Sequence, residues 1–317
     1  MWEKPIGFKG YNLGRKGSES RGFTLVELLV VISIISMLMA MLMPVMCGVR
    51  RRARRLQGIV NQREIVNAVN YYTMDNDGIY PESVATIGRS RWNWQEPTML
   101  TGYRKRSPQL HRSMGEYLGS YIKDAGKLFC KNAPEKYKHL QKAWDAGDEW
   151  DNPDTAPVPD PVIGTYCFYW NYIGFLGGRR RIFIGPQSSS DGPEKSKLLV
   201  SDYFGYDHWR SPKAYGSCEE FPKATVTPGT YVSSAYWSCL ESEGVNFNTI
   251  AVKLHAGYTD GHVEPYYPSE TVPMEVSITS NGSVPYPSGL GPGIFYLPRN
   301  GLQRPPRKWL TVNSLSR

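Results

Sequence analysis

The sequence predicts an α+β fold in which a long N-terminal helix, transmembrane in its first half, packs on an antiparallel β-sheet head with large loops. Three observations predict it. The run from Phe23 to Val49 is apolar and carries one charge, Glu27, with no further charged side chain until Arg50; about 20 apolar residues suffice for a helix to cross a bilayer. Beyond the run, Leu56, Ile59, Val66, Val69 and Thr73 fall at three- and seven-residue spacings that hold them on one helical face. From Pro81 onward the chain is rich in Gly, Pro, Tyr and Trp, carries an Asp260-Gly261 pair suited to a two-residue hairpin turn and lacks alternating helix–strand units, so its strands are expected to be antiparallel.

Taken in order, residues 1–22 are polar and basic, with Lys4, Lys9, Arg15, Lys16 and Arg21 against Glu3 and Glu19, a balance of five minus two. That suits a cytoplasmic leader, with the positive-inside bias setting orientation. Residues 23–49 read as the transmembrane helix and 50–74 as its amphipathic continuation. Residues 75–300 read as an α+β head on the outer side, and 301–317 as a flexible tail. The formal net charge of the 317 residues is +8. The leader and the cluster Arg50, Arg51, Arg52, Arg54 and Arg55 account for it, which leaves the head near neutral. The pI of 9.1 is therefore no argument for a nucleic-acid partner, and none is expected. An arginine cluster at a membrane boundary is expected to grip anionic headgroups of the inner-membrane lipid, at ~1 kcal/mol per residue. It lies on the outer side, where the positive-inside rule disfavours it, so the leader has to hold the orientation.

Glu27 is the costly residue, because a carboxylate inside an apolar span costs roughly 2.5–3.5 kcal/mol on insertion scales. Such a cost is best offset by a cation on a partner chain. The string Gly22-Phe23-Thr24-Leu25-Val26-Glu27 resembles the cleavage and methylation signature of type IV pilins and type II secretion pseudopilins. The resemblance implies that a prepilin peptidase cuts between Gly22 and Phe23 and methylates the new Phe23 amine. It also implies that Glu27 meets the N-terminal amine of a neighbouring pilin or pseudopilin subunit. Pro44 falls where pilins often carry a helix-bending proline, and proline breaks or kinks a helix because it lacks the N–H.

The helix is expected to stop at Asp75-Asn76-Asp77-Gly78, residues suited to a left-handed cap. Gly58 weakens the helix by ~1 kcal/mol relative to alanine and is a candidate bend. The stretch Asn70 to Pro81 resembles the Y-x-x-D-N-x-G-x-Y-P exit that follows the helix in pseudopilin-like proteins. Its Asp75, Asp77 and Gly78 imitate part of a calcium loop, but the glutamate at position 12 is missing, so a cap is the better reading. In the head, 111–123 is expected to form a short helix with Met114, Tyr117, Leu118 and Tyr121 inward. Residues 127–134 resemble the family's F-x-C-P segment, and 142–162 read as a surface loop. Gly164 to Tyr172 is strand-like and similar to the family's S-Y-x-x-N strand; 181–185, 197–203 and 274–279 are further strand candidates. Ile250 to Tyr266 resembles a C-terminal hairpin in which a histidine precedes Asp-Gly by nine residues. Here Ile250 stands in the histidine's place and His255 where asparagine is usual.

Cys47 ends the membrane helix and reads as a small apolar residue. Cys130, Cys167, Cys218 and Cys239 would face an oxidising compartment and are candidates for disulfides, with three pairings open. Their spacing fits no Cys-x₂-Cys zinc pattern, and no metal or cofactor is expected. The chain is thus expected to be a structural, non-enzymatic subunit, anchored once in a bacterial inner membrane, processed and assembled through its N-terminal helix into a pilus or secretion pseudopilus. Its head would lie in the periplasm or outside the cell. The alternative is a stand-alone anchored surface protein whose head binds a ligand or is hydrolytic; His255, Asp260, His262 and Glu264 are the residues such chemistry would use. The sequence has no phosphate-binding Gly-rich loop ending in Lys-Ser/Thr, no Gly-x-Ser-x-Gly and no His-Glu-x-x-His. The head's many tyrosines and tryptophans fit either a recognition surface or the core of a loop-rich domain.

Overall fold

The computed structural model describes residues 23–85, 97–101, 113–128, 141, 144–145, 164–176, 181–207, 211–216, 220–225, 253–276 and 294–302. The chain is α+β, and it divides into two units, one ending at Arg51 and the other beginning at Arg52. Helix α1, Leu25–Asp75, runs through both.

In the first unit α1 is apolar on every side, and its large side chains from Leu25 to Val49 are all exposed. A helix apolar all round has no solvent-facing stripe and calls for lipid or neighbouring helices. The Ser33 hydroxyl donates to the Val30 carbonyl at 2.7 Å, a back-bond within the helix. Pro44 lies inside the helix, which continues past it.

In the second unit the buried face of α1 is Gly58, Asn61, Gln62, Ile65, Val66, Ala68, Val69 and Thr73. Val66, Val69 and Thr73 are on the face the spacing predicts. Leu56 is not: it is 62% exposed, and Ile59 is half-buried. The stripe is turned because two polar residues occupy it, Asn61 and Gln62, each with a partner on the sheet below. Gly58, the candidate bend, is buried on this face, and the helix continues past it.

The helix stops as predicted. Gly78 N–H donates to the Thr73 carbonyl at 2.9 Å and Asn76 Nδ2 to the Tyr72 carbonyl at 2.8 Å. Asp77 and Gly78 have φ of 54° and 77°, the left-handed conformation that closes a helix C-terminus. The exit is then pinned from a distant part of the chain. Tyr80 N–H donates to the Gln187 carbonyl at 3.0 Å, and Asn171 Nδ2 donates to the Tyr80 and Pro81 carbonyls at 3.0 and 2.7 Å. The asparagine of the Tyr166–Asn171 stretch thus holds the Tyr-Pro end of the helix exit.

Helix α2 covers only Met114–Leu118, with Ser113 as N-cap accepting from Glu116 N–H. Met114 and Leu118 are buried, while Tyr117 and Tyr121 are half-buried and meet Tyr72 edge-on, with ring centres 6.1 and 6.2 Å away. Among the described residues all sheet pairings are antiparallel. One sheet takes β1 (Tyr166–Phe168), β4 (Leu198–Asp202), β8 (Leu254–Tyr258) and β9 (Val263–Tyr266) in the order β1-β4-β8-β9. A second has the order β11-β10-β2-β3, from β2 (Ile173–Leu176), β3 (Arg181–Ile184), β10 (Thr271–Val276) and β11 (Ile294–Pro298). A third joins β5 (Phe204–Asp207), β6 (Ser211–Gly216) and β7 (Glu220–Thr225).

Two expectations are corrected. The single strand expected over 164–172 is broken after Phe168 by a turn in which Asn171 has φ 49°, and β2 begins at Ile173 in the other sheet. The Asp260-Gly261 hairpin forms, but its loop has three residues, Thr259 to Gly261, because Tyr258 N–H donates to the His262 carbonyl and Gly261 N–H to that of Tyr258, both at 3.0 Å. Only Gly261 (φ 92°) takes a positive φ there, as suits a turn followed by a left-handed residue.

The largest fully buried side chains include Trp170, Tyr166, Tyr169, Tyr172, Tyr203, Phe183 and Phe204. These aromatics fill the core of a loop-rich domain, and Tyr71 and Tyr267 are the exposed rings among the described residues of that unit. Helix and sheet pack tightly at Gly257 on β8, where an added Cβ would lie 2.6 Å from Val66 Cγ2 and 3.0 Å from Val200 Cγ1. Both neighbours are stiff, fully buried valines. Gly257→Ala is expected to destabilise the head by about 1–3 kcal/mol through overpacking, read as a lowered midpoint in thermal unfolding; an unchanged midpoint would show that helix and sheet can separate freely at this point.

Candidate functional site

The N-terminal motif is built around the start of α1. Thr24 is the residue before the helix and Glu27 lies three positions on. The Glu27 carboxylate accepts from Thr24 N–H at 2.8 Å and from the Thr24 hydroxyl at 2.7 Å, and the Thr24 hydroxyl oxygen accepts from Glu27 N–H at 3.2 Å. This reciprocal pair is a capping box, which satisfies two of the N–H groups that a helix start leaves unpaired. It places one carboxylate oxygen at the first turn, beside the positive end of the helix dipole. The sequence signal for it, Thr-x-x-Glu ahead of an apolar run, is present at Thr24 to Glu27. Phe23, directly before it, is 71% exposed, and Gly22 lies outside the described residues.

Chemically, this arrangement offers a negative group at the edge of an otherwise apolar cylinder. Glu27 Oε2 is engaged by Thr24, and the same carboxylate has further lone pairs that can accept from a cation.

The head presents two polar clusters. In the buried one, Asp202 on β4 accepts from Gln62 Nε2 on α1 at 3.0 Å and from the backbone N–H of His255 on β8 at 2.8 Å. The His255 ring nitrogen Nδ1 stands 3.6 Å from the same carboxylate. Asn61 Nδ2 makes a long 3.4 Å bond to the Tyr166 hydroxyl, and the Tyr266 hydroxyl donates to the Asp202 carbonyl at 3.3 Å. Burial, then the Asp202 charge, pushes the Tyr266 hydroxyl well above its ordinary value, so it stays a donor. The cluster fastens helix to sheet and is buried: Gln62 is 0% and Asp202 7% exposed.

The second cluster sits on the β8–β9 hairpin. His262 stacks on Tyr258 at 4.5 Å between ring centres, and its Nδ1 bonds the Asp260 carboxylate. Nε2 lies 3.9 Å from Glu264, which also accepts from Asn300. Burial acts to raise the Asp260 carboxyl, but hydrogen bonds from His262 outweigh it and hold the group below the usual carboxylate range. Asp260, His262 and Glu264, which sequence reasoning grouped with His255, do come together; His255 belongs to the buried cluster. Among the described residues no group of three or more His, Cys, Asp or Glu is placed to hold a metal ion. A groove of about 350 Å³ between α1 and residues 121–127 is bordered by Tyr71, Tyr121, Glu64 and Lys127, with the last two joined in an ion pair at 3.1 Å.

Of the cysteines, Cys167 is buried on β1, while Cys130, Cys218 and Cys239 lie outside the described residues. Residues 18–43 match the family model described as the prokaryotic N-terminal methylation motif. No curated protein and no solved structure matches the chain. The motif match supports a type IV pilin-like, prepilin-processed protein, and with the apolar helix it points to a membrane-anchored, single-pass chain.

Proposed function

We propose that the chain is a pseudopilin-like structural subunit of a bacterial inner membrane. A prepilin peptidase cuts between Gly22 and Phe23 and methylates Phe23, and α1 then bundles with other pilin or pseudopilin subunits into a pilus or a type II secretion pseudopilus. The observation that carries the reading is the exposed apolar first part of α1, which carries one charge, Glu27, at its first turn. Such a surface needs lipid before assembly and neighbouring helices after it. Glu27 offers the carboxylate that a neighbour's Phe23 amine would meet, and Pro44 supplies the point at which the helix can bend during packing. The head, in the periplasm or outside, uses its buried Asp202 cluster for cohesion and needs no cofactor for this role. Cys130, Cys167, Cys218 and Cys239 remain candidates for disulfides there.

The experiment compares cells with and without prepilin peptidase. With it, the chain should lose the mass of residues 1–22 and appear in sheared surface filaments or in crosslinked complexes with other pilin-like subunits. Without it, the full chain should stay in the inner membrane. A chain of identical mass in both strains contradicts the proposal.

A further inference from the structure

We infer that the arginine cluster at residues 50–55 of α1 is a binding collar for anionic phospholipid headgroups, an inference that rests on reading residues 23–49 as membrane-spanning. The uncharged stretch 28–49 is about 33 Å long as a helix, close to the ~30 Å of a bilayer's hydrocarbon core. Arg50 therefore emerges where phosphate groups begin. Arg50, Arg52 and Arg54 are exposed and have no ion pair or hydrogen bond among the described residues. No aspartate or glutamate occurs between Glu27 and Glu64, so the helix offers the cluster no acid at the three- or four-residue spacing that would neutralise it. Guanidinium groups suit phosphate oxygens, which they bind through two parallel N–H donors.

The distribution around the helix favours a lipid layer over a flat protein face. At about 100° per residue, Arg50, Arg52, Arg54 and Arg55 spread over roughly 200° of the circumference. The remaining arc carries Val49, Ala53, Leu56 and Val60, of which Val49 (53%), Leu56 (62%) and Val60 (47%) are exposed apolar residues. The collar and a helix-contact seam can thus operate side by side. Duplex nucleic acid offers the same phosphates, but its binding would not require the cluster to sit one membrane thickness from the start of the helix.

The test uses the full chain in nanodiscs of phosphatidylcholine with a minority of phosphatidylglycerol, and counts retained lipids by native mass spectrometry. The wild type should retain phosphatidylglycerol in excess of its supply, with selectivity falling as salt rises. Each arginine is expected to contribute about fivefold, so Arg50→Gln/Arg52→Gln/Arg54→Gln should lose selectivity by well over tenfold while thermal unfolding of the head is unchanged. Retention in proportion to supply, or undiminished selectivity in the variant, overturns the inference. So does displacement of phosphatidylglycerol by excess inorganic phosphate, or by duplex DNA, which would assign the cluster to a soluble anion or to nucleic acid. Release of the wild type from the bilayer by alkaline wash would instead sink the membrane reading beneath it.

Discussion

Glu27→Ala is expected to leave the protein in the membrane and to remove it from complexes with other pilin-like subunits. Removing a carboxylate from an apolar span spares roughly 2.5–3.5 kcal/mol of insertion cost, so anchoring should not suffer. Assembly should, because a buried ion pair that loses one partner strands the other charge, at about 3–5 kcal/mol. That corresponds to a fall of a hundredfold or more in co-purification with partner subunits. Glutamate also serves the capping box with Thr24, so alanine removes two functions at once. Glu27→Gln separates them, since glutamine can complete a capping box but carries no charge. If charge pairing drives assembly, glutamine should fail like alanine. Full assembly of the glutamine variant would assign the residue to helix capping alone.

The second large effect is expected in the head. Asp202→Ala deletes the acceptor shared by Gln62 and the His255 backbone. Gln62 is fully buried, and its Oε1 has no hydrogen-bond partner among the described residues, so its amide is tied to the sheet through Asp202. Stranding two buried donors should cost roughly 3–5 kcal/mol. For a head of this size that lowers the unfolding midpoint by roughly 10 °C, measured by near-UV circular dichroism of the full chain in detergent. Asp202→Asn keeps one acceptor oxygen and should lose less. Equal, small shifts in both variants would mean that apolar packing of Ile65, Val66 and Val69 alone holds helix to sheet.

The elements that were legible in the sequence are those specified locally. The charge-free run, the Asp75–Gly78 cap and the Asp260-Gly261 turn each rest on residues within a few positions of one another, and all three form. The register of the amphipathic half of α1 was legible only in part. Hydrophobic spacing counts apolar residues, and here the buried stripe includes Asn61 and Gln62, whose partners Tyr166 and Asp202 are more than a hundred positions away. Leu56 was assigned inward by the same spacing and points out. The break after Phe168 was hidden for a related reason: Asn171 adopts φ 49° because its amide reaches Tyr80 and Pro81, a non-local bond. Asp-Gly is compatible with two- and three-residue loops, and the stacking of His262 on Tyr258 shows side chains closing the longer one. At the N-terminal motif the residues are all visible in sequence, whereas the exchange of hydrogen bonds between Thr24 and Glu27 is a matter of side-chain geometry.

The proposed role rests on one covalent event, processing at the start of α1. Intact-mass and N-terminal fragment-ion measurement of the chain purified from membranes tests it most directly. The expected result is a mature chain that begins at Phe23, with a monomethylated amine and Glu27 as its fifth residue. A chain that retains residues 1–22, or one cut anywhere other than between Gly22 and Phe23, would contradict it.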